Sequence, residues 1–211
     1  IIYTMCIGFF IHYYLNNNNN KIEKYYNLNK KQLLFKKTLE DMANILKENN
    51  ISFFLMFGTA LGAHREKKFI EHDNDIDIGL YTSEFNKLPI ILNKIKNIFN
   101  LNKIYPSNNK PTEYTFTHKI TNINIDLFNI NCNNNNICIS YTYNGICNNK
   151  KNKKCIFKYP LNLININFLG NNYIIPDTTF LKHFYGDDWH ISKKFDYFQG
   201  LKQNLYKSLI N

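Results

Sequence analysis

The chain has 211 residues, 44% of them hydrophobic and 16% aromatic, which supports one substantial core and leaves little room for a second independent domain. Its formal net charge is +10, from 26 lysine and arginine residues against 16 aspartate and glutamate residues. Because most of this excess is scattered lysine and no arginine-rich helix is present, the charge alone does not favour a nucleic-acid-binding protein.

An apolar head, IIYTMCIGFFIHYYL, occupies residues 1–15 and runs into an asparagine-rich stretch at 16–20. A transmembrane helix needs roughly 20 apolar residues, so the head is too short to span a bilayer comfortably. Two interpretations stay open: it is the end of a signal anchor, or it is a buried or interfacial segment. The asparagine run suits a flexible linker in either case. We expect an anchor-and-linker segment at 1–27 and a folded domain at 28–211, with membrane association under the first interpretation.

The next segment has the spacing of an amphipathic helix. Between Leu28 and Asn50, apolar residues recur at helical intervals, namely Phe35, Leu39, Met42 and Leu46. Asn49 and Asn50 end this predicted helix. The run ISFFLMF at Ile51–Phe57 then predicts a strand that is covered on both faces.

A tight turn is predicted directly after this strand. Gly58 permits the turn, and Thr59 is a suitable N-cap for a short helix from Ala60 to His64. The free N–H groups of such a helix would favour a phosphate. On the dipeptide alone, an ordinary strand-to-helix turn is the simpler interpretation.

The segment DIDIGLY at Asp75–Tyr81 predicts a strand with an acidic face. Side chains alternate between the two faces of a strand. Asp73, Asp75 and Asp77 therefore fall on one face, and Ile76, Ile78 and Leu80 fall on the other. Two aspartates about 7 Å apart on a partly covered strand repel each other. A divalent cation with a preference for oxygen, Mg²⁺ or Mn²⁺, would remove that repulsion.

A third carboxylate stands on a later strand, predicted at Ile123–Phe128. Asp126 has apolar and asparagine neighbours there, and it can join the acidic pair if the two strands lie side by side. The alternative is a strand residue that faces solvent. The acidic pair upstream favours the metal-ligand interpretation.

The residues 129–158 form a predicted insertion rich in asparagine and lysine. It holds four cysteines, namely Cys132, Cys138, Cys147 and Cys155. Three interpretations stay open: two disulfides in one of three connectivities, a four-cysteine zinc site, and unpaired thiols. Zinc is not favoured, because the spacings are wider than those of ordinary zinc sites.

These motifs together resemble the LicD/fukutin family of nucleotidyltransferase-fold proteins, which includes the fukutin-related proteins. The stretch Gly58–Ile78 follows the family pattern GTLLGAxRHxGFIPWDDDIDI, and Ile125–Phe128 is similar to the family's later IDIF strand. Ile175-Pro176 and Tyr185–Trp189 resemble its closing segment. The likeness covers the chain from Leu28 to Trp189.

The resemblance implies an α+β, polymerase-β-like nucleotidyltransferase fold with a small mixed sheet flanked by helices. It also implies metal-dependent transfer of a substituted phosphoryl group, such as phosphocholine or ribitol phosphate, from a CDP-linked donor to a glycan hydroxyl. The location implied is membrane-associated, in the Golgi or secretory pathway for a eukaryotic source. Two alternatives stay open: an inactive, membrane-tethered glycan-binding or scaffold protein on the same fold, and nucleotidyl transfer to a nucleic acid.

Roles follow for the acidic residues. Asp75 and Asp77 would hold Mg²⁺ or Mn²⁺ on the donor diphosphate. Asp126 would complete the metal site or accept the proton of the acceptor hydroxyl. Asp73, at the entry of the strand, is a further metal ligand that would act through water.

Phosphate binding is expected from Gly58, Thr59 and Arg65. Arg65 is the only arginine of the chain and lies inside the motif. Its alternative is a surface salt bridge to Glu66 or Glu71.

The chain also departs from the family pattern in the loop before the acidic strand. Lys68, Glu71 and His72 replace the family's Gly, Pro and Trp, and Asn74 stands where an aspartate is common. We expect activity because the metal pair is retained, with an altered acceptor or rate.

Overall fold

The computed structural model describes residues 29–106, 110–143, 146–147, 150–151 and 154–192. The predicted apolar head and asparagine linker lie outside these residues. In the described part of the chain, none of the helices has the length and apolar character needed to cross a membrane.

The helices flank a mixed sheet. They are α1 (29–48), α2 (Phe57–Arg65), α3 (Thr82–Phe85), α4 (Leu88–Ile98) and α5 (Thr178–Tyr185). The amphipathic helix predicted from the apolar spacing is confirmed as α1. The four residues that define its apolar stripe are all buried, namely Phe35, Leu39, Met42 and Leu46.

The central sheet has the strand order β1-β2-β5-β4-β3. Its strands are β1 (Phe54–Leu55), β2 (Asp75–Tyr81), β3 (Phe99–Tyr105), β4 (Glu113–His118) and β5 (Asn124–Cys132). β2 and β5 are parallel, whereas the other neighbours along this path are antiparallel. The mixed sheet with flanking helices confirms the predicted α+β class.

Further strands extend this arrangement. They are β6 (Ile137–Tyr143), the short β7 (Ile146–Cys147) and β8 (Lys150–Lys151), β9 (Lys154–Pro160), β10 (Leu163–Phe168) and β11 (Asn171–Pro176). β6 pairs with the end of β5 and with β9, while β10 and β11 form a hairpin.

The two faces of the central sheet differ sharply in polarity. One face buries apolar side chains from β2, β4 and β5 against α1 and α4, namely Ile76, Ile78, Leu80, Tyr114, Phe116, Ile125 and Leu127. The other face carries the carboxylates, because side chains alternate along each strand. Packing therefore decides which face stays open for polar chemistry.

The strand predicted at Ile51–Phe57 is much shorter than expected. Only Phe54 and Leu55 pair with β2, and the chain enters α2 at Phe57, whose φ of 41° lies in the left-handed region. The prediction of burial was nevertheless right, since Phe54, Leu55 and Met56 are at most 2% exposed. An apolar run does not distinguish a strand from the buried entry of a helix.

The predicted insertion at 129–158 is largely strand structure in its described part. β5 continues to Cys132, which lies opposite Cys138 on β6, and the two cysteines form a disulfide. Sulfur atoms joined in this way cannot also bind zinc. The side chains of Cys147 and Cys155 lie outside the described residues.

Gly79 on β2 supports a testable prediction about the core. A Cβ atom at this position would lie 2.4 Å from Cε2 of Phe54, its partner across β1 and β2. Because such overpacking of a core costs about 1–3 kcal/mol, we expect Gly79→Ala to lower the free energy of unfolding by that amount in urea titrations. The penalty should shrink in a Phe54→Leu background, where the ring is absent. Equal penalties in the two backgrounds would contradict the proposed clash.

Candidate active site

Three of the predicted carboxylates meet on the open face of the sheet. Asp75 and Asp77 are half-buried on β2, and the parallel register places Asp77 directly beside Asp126 on β5. The expectation that the two strands are neighbours is therefore confirmed. The aspartates share a face because the alternating isoleucines and leucine of β2 are buried in the core.

The amino-terminal end of α2 points at this acidic group. The backbone N–H of Thr59 donates to Oδ2 of Asp77 over 3.3 Å, and the Asp77 N–H donates to the Thr59 hydroxyl over 2.9 Å. The prediction of Thr59 as N-cap is wrong, because the helix begins at Phe57 and Met56 occupies the cap without a side-chain hydrogen bond. A carboxylate from β2 supplies the missing acceptor instead, which the helix dipole favours.

Gly58 is the residue that lets the carboxylates approach the helix. A Cβ atom there would lie 2.7 Å from Oδ2 of Asp73 and 3.3 Å from Oδ2 of Asp77. Asp73 thus joins the site from the loop before β2. The preceding Phe57 ring packs edge-on against Phe128 of β5, with ring centres 5.0 Å apart, and this contact ties the start of α2 to the strand of Asp126.

Two side chains of α1 hold the loop that carries Asp73. Lys31 donates to the carbonyls of Glu71 and Asp73 over 2.7 and 2.5 Å. Gln32 pairs with both backbone groups of Phe69, at 2.9 and 3.0 Å. The sequence analysis missed this role, since Lys31 is one of several lysines on α1 and its spacing carries no distinguishing signal.

The acidic group carries unfavourable charge in the absence of a cation. Burial, and then the Asp75 charge, raises the pKa of Asp73 to about 6. Burial likewise raises the pKa of Asp126 to about 6, against a hydrogen bond from Thr115 that lowers it. The pKa of Asp75 is raised by burial, and that of Asp77 is raised well above its usual range by burial and by its three acidic neighbours.

A fourth strand position, Glu113 on β4, belongs to the same face and was missed by the sequence analysis. Burial, and then the Asp126 charge, raises its pKa to about 7. The segment EYTFTH at Glu113–His118 alternates polar and apolar residues, and its buried set includes Tyr114 and Phe116. This alternation was the signal that could have identified Glu113.

The donor atoms suit a hard cation. In the described residues, no three acidic, histidine or cysteine side chains already converge as a complete metal-binding group. Mg²⁺ is commonly held by one or two carboxylates together with waters and substrate phosphates, and Asp75 and Asp77 are the two carboxylates that could hold it here. Oδ1 of Asp126 is buried and has no hydrogen-bond partner within the described structure, which leaves it free to serve as a further oxygen ligand.

Arg65 is paired within the protein. Its guanidinium contacts Oε1 of Glu66 at 2.7 Å and the carbonyl of Trp189 at 3.4 Å, and its side chain is 10% exposed. The structure thus has the salt bridge that was the alternative to phosphate binding. Arg65 still lies close enough to lower the pKa of Asp73.

The close approach at Gly58 gives the first prediction for the site. We expect Gly58→Ala to displace Asp73 and to weaken Mn²⁺ binding about tenfold or more, while the thermal unfolding temperature changes little. Calorimetric titration of Mn²⁺ measures this effect. In an Asp73→Ala background, Gly58→Ala should weaken Mn²⁺ binding less. If the two substitutions instead weaken binding additively, the effect of Gly58→Ala does not act through Asp73.

The raised carboxylate pKa values give a prediction about pH. The folded metal-free protein binds protons that the unfolded chain has released above a pKa of about 4, so its stability should fall as the pH rises from about 4 to 7. Urea titrations in the presence of EDTA at pH 5.0 and 7.5 measure the change. Asp126→Asn should lose less stability over this interval than the wild type, and an identical loss would count against the electrostatic explanation.

Comparison with known proteins places these residues in a family. The chain is 34% identical over 67 residues to uncharacterized protein RP689 of Rickettsia prowazekii, and 30% identical over 95 residues to uncharacterized protein RT0683 of Rickettsia typhi. The matched segments cover 32% and 44% of this chain, but only 25% and 31% of those two proteins.

A likeness to a solved structure, the lincomycin-bound lincosamide antibiotic adenylyltransferase LnuA, covers 79% of this chain and 95% of that chain. Its TM-score is 0.47 at 13% identity. The family model described as LicD/FKTN/FKRP, nucleotidyltransferase domain, matches residues 50–178, which include every carboxylate of the site. The chain therefore belongs to the LicD/FKTN/FKRP family of nucleotidyltransferase domains.

Proposed function

We propose that this domain transfers a substituted phosphoryl group from a CDP-linked donor to a hydroxyl of a glycan, with Mg²⁺ or Mn²⁺ bound at Asp75 and Asp77. The observation that carries the proposal is the placement of Asp77 beside Asp126, in front of the amino-terminal end of α2. Phosphoryl transfer depends mainly on charge stabilisation and alignment. The carboxylates and the start of α2 support both, because they offer cation ligands and a helix dipole in one place.

Different residues would bind the cation and the donor phosphates. Asp75 and Asp77 would hold the cation, with Asp126 and the loop residue Asp73 completing its surroundings. When bound, the cation supplies the positive charge that allows a diphosphate to approach these carboxylates. The positive end of the α2 dipole, next to Gly58, favours a phosphate oxygen in the same place.

The loop that departs from the family pattern is well anchored, which supports a working site. Glu71 and His72 are exposed, while Phe69 and Ile70 are buried and Lys31 and Gln32 of α1 hold the loop backbone. Loss of the family's Gly, Pro and Trp has therefore not removed the support of Asp73. This favours an enzyme over a catalytically silent scaffold.

The identity of the donor follows from the family resemblance, and phosphocholine and ribitol phosphate are the groups we propose to test first. Thermal unfolding of the full chain with Mn²⁺ and a panel of CDP-linked donors, including CDP-choline and CDP-ribitol, would identify the donor as the compound that raises the unfolding temperature. UDP- and ADP-linked compounds serve as controls. Stabilisation by none of the CDP compounds would contradict the proposed donor class.

Substitution of the metal pair tests the site itself. We expect Asp75→Asn and Asp77→Asn each to lower metal-dependent donor turnover by about 10²-fold or more, because the donor phosphates then meet uncompensated carboxylates. Both variants should stay folded, since each substitution removes one member of a repulsive group. Release of CMP, followed by chromatography, measures turnover.

The control for these variants is Glu48→Gln, which removes one negative charge from the exposed surface of α1, away from the site. It should retain wild-type turnover. Wild-type Mn²⁺ binding and turnover in Asp75→Asn and Asp77→Asn would refute the assignment of the metal pair, as would the unfolding of both.

A further inference from the structure

Glu113 occupies a defined position relative to the acidic group. Strand register aligns four residues in one row across β2, β5, β4 and β3, namely Asp77, Asp126, Thr115 and Lys103. Glu113 is two residues from Thr115 on β4 and therefore shares its face. Diagonal neighbours of this kind are about 7–8 Å apart, and somewhat less between Cβ atoms, which leaves a gap that a substrate oxygen can enter between the two side chains.

Glu113 lies on the β4 side of Asp126, away from β2. Its partner on β5 is Phe128, and β4 is separated from β2 by the whole of β5. The charges of Asp126 and Asp75 both raise the pKa of Glu113, so its carboxylate is within electrostatic reach of the acidic group. The carboxylate of Glu113 is thus next to the proposed metal group but outside it.

The surroundings of Glu113 leave its carboxylate available. In the described residues no salt bridge involves Glu113, and the Thr115 hydroxyl lies 3.4 Å from Oε1, where its one proton can be donated to either Glu113 or Asp126. Lys103 is exposed on β3, and its positive charge lowers the pKa of Glu113 slightly against the effects that raise it. A carboxylate with one weak donor and no ion pair retains the capacity to accept a proton.

The geometry of the reaction separates the two sides of Asp126. If the CMP leaving group lies over the aspartates of β2, in-line attack on phosphorus requires the acceptor to approach from the opposite side. That direction is the β4 side of the open face, where Glu113 lies. The acceptor hydroxyl would then reach phosphorus between Asp126 and Glu113.

We propose that Glu113 is the catalytic residue that accepts the proton of the acceptor hydroxyl, which leaves Asp126 to serve the metal group. This inference rests on the proposed function. The acceptor oxygen forms a bond to the transferred phosphorus, and the bond from that phosphorus to the bridging oxygen breaks. The electron pair of the broken bond leaves with CMP, and the hydroxyl proton passes to Glu113 and then to solvent.

The first experiment compares Glu113→Gln with the wild type, using water as the acceptor. Calorimetry with CDP in the presence of Mn²⁺ measures binding, and release of CMP from CDP-choline, with CDP-ribitol in parallel, measures turnover. We expect Glu113→Gln to bind Mn²⁺ and CDP within about threefold of the wild type but to release CMP about 10²-fold more slowly. The surface variant Glu48→Gln should match the wild type in both measurements.

A second variant distinguishes proton transfer from a structural role. In Glu113→Ala the missing carboxylate leaves space for a small acid, so added formate should restore part of the lost turnover. Formate should not restore turnover in Asp126→Ala, because that variant should also have lost binding of Mn²⁺ and CDP. A structural defect at Glu113 would not respond to formate.

The outcomes separate this inference from the proposed function. Wild-type turnover in Glu113→Gln overturns the role of Glu113, and so does joint loss of CDP binding and turnover, which would make Glu113 a metal ligand. In both cases the proposed function stands, because the wild type binds CDP with Mn²⁺. A wild type that binds no CDP with Mn²⁺ would instead refute the proposed function.

Discussion

The constraint on which the rest of this structure depends is the enforced proximity of carboxylates on β2 and β5. Parallel pairing places Asp77 beside Asp126, and period-two alternation adds Asp75 on the same face. Like charges at this separation repel, and burial strengthens that repulsion. The arrangement persists because the opposite faces of the same strands bury apolar side chains, and core burial outweighs the electrostatic cost.

Several contacts around the site compensate for that cost. The dipole of α2 and the Thr59 N–H face the carboxylates, and Gly58 lacks the side chain that would keep Asp73 away. Lys31 places a positive charge behind the loop of Asp73 and lowers the pKa of both Asp73 and Asp75. These elements partly stabilise a site whose remaining negative charge suits a cation.

An apolar cluster with buried residues from β6, β9 and α5 connects this site to the strands that carry the disulfide. Phe57 and Phe128 lie on the face that carries the carboxylates and pack with residues of α5, β6 and β9. The disulfide between Cys132 and Cys138 lies where β5 and β6 pair, on the strand that also carries Asp126. This extension therefore reinforces the carboxyl-terminal end of β5, the strand of Asp126.

Much of the fold could be predicted because local patterns report local structure. The helical spacing before Asn50 and the alternation at Asp75–Tyr81 predicted α1 and β2, and the motif at Gly58–Ile78 indicated the family. Alternation alone also assigned the aspartates to one face of β2. It could not show that β5 is the strand beside β2, because strand pairing is not a local property of the sequence.

Other features depended on contacts between distant parts of the chain. The helix start at Phe57, the cap supplied by Asp77 and the support from Lys31 all involve partners far apart in sequence. Glu113 lies beside Asp126 only because β4 pairs with β5, and the alternation at Glu113–His118 could identify its face but not its neighbouring strand. The sequence by itself determined which residues share a face of each element, because side-chain periodicity is local. Only the tertiary structure decided which faces meet, because that depends on burying all the apolar faces in one core.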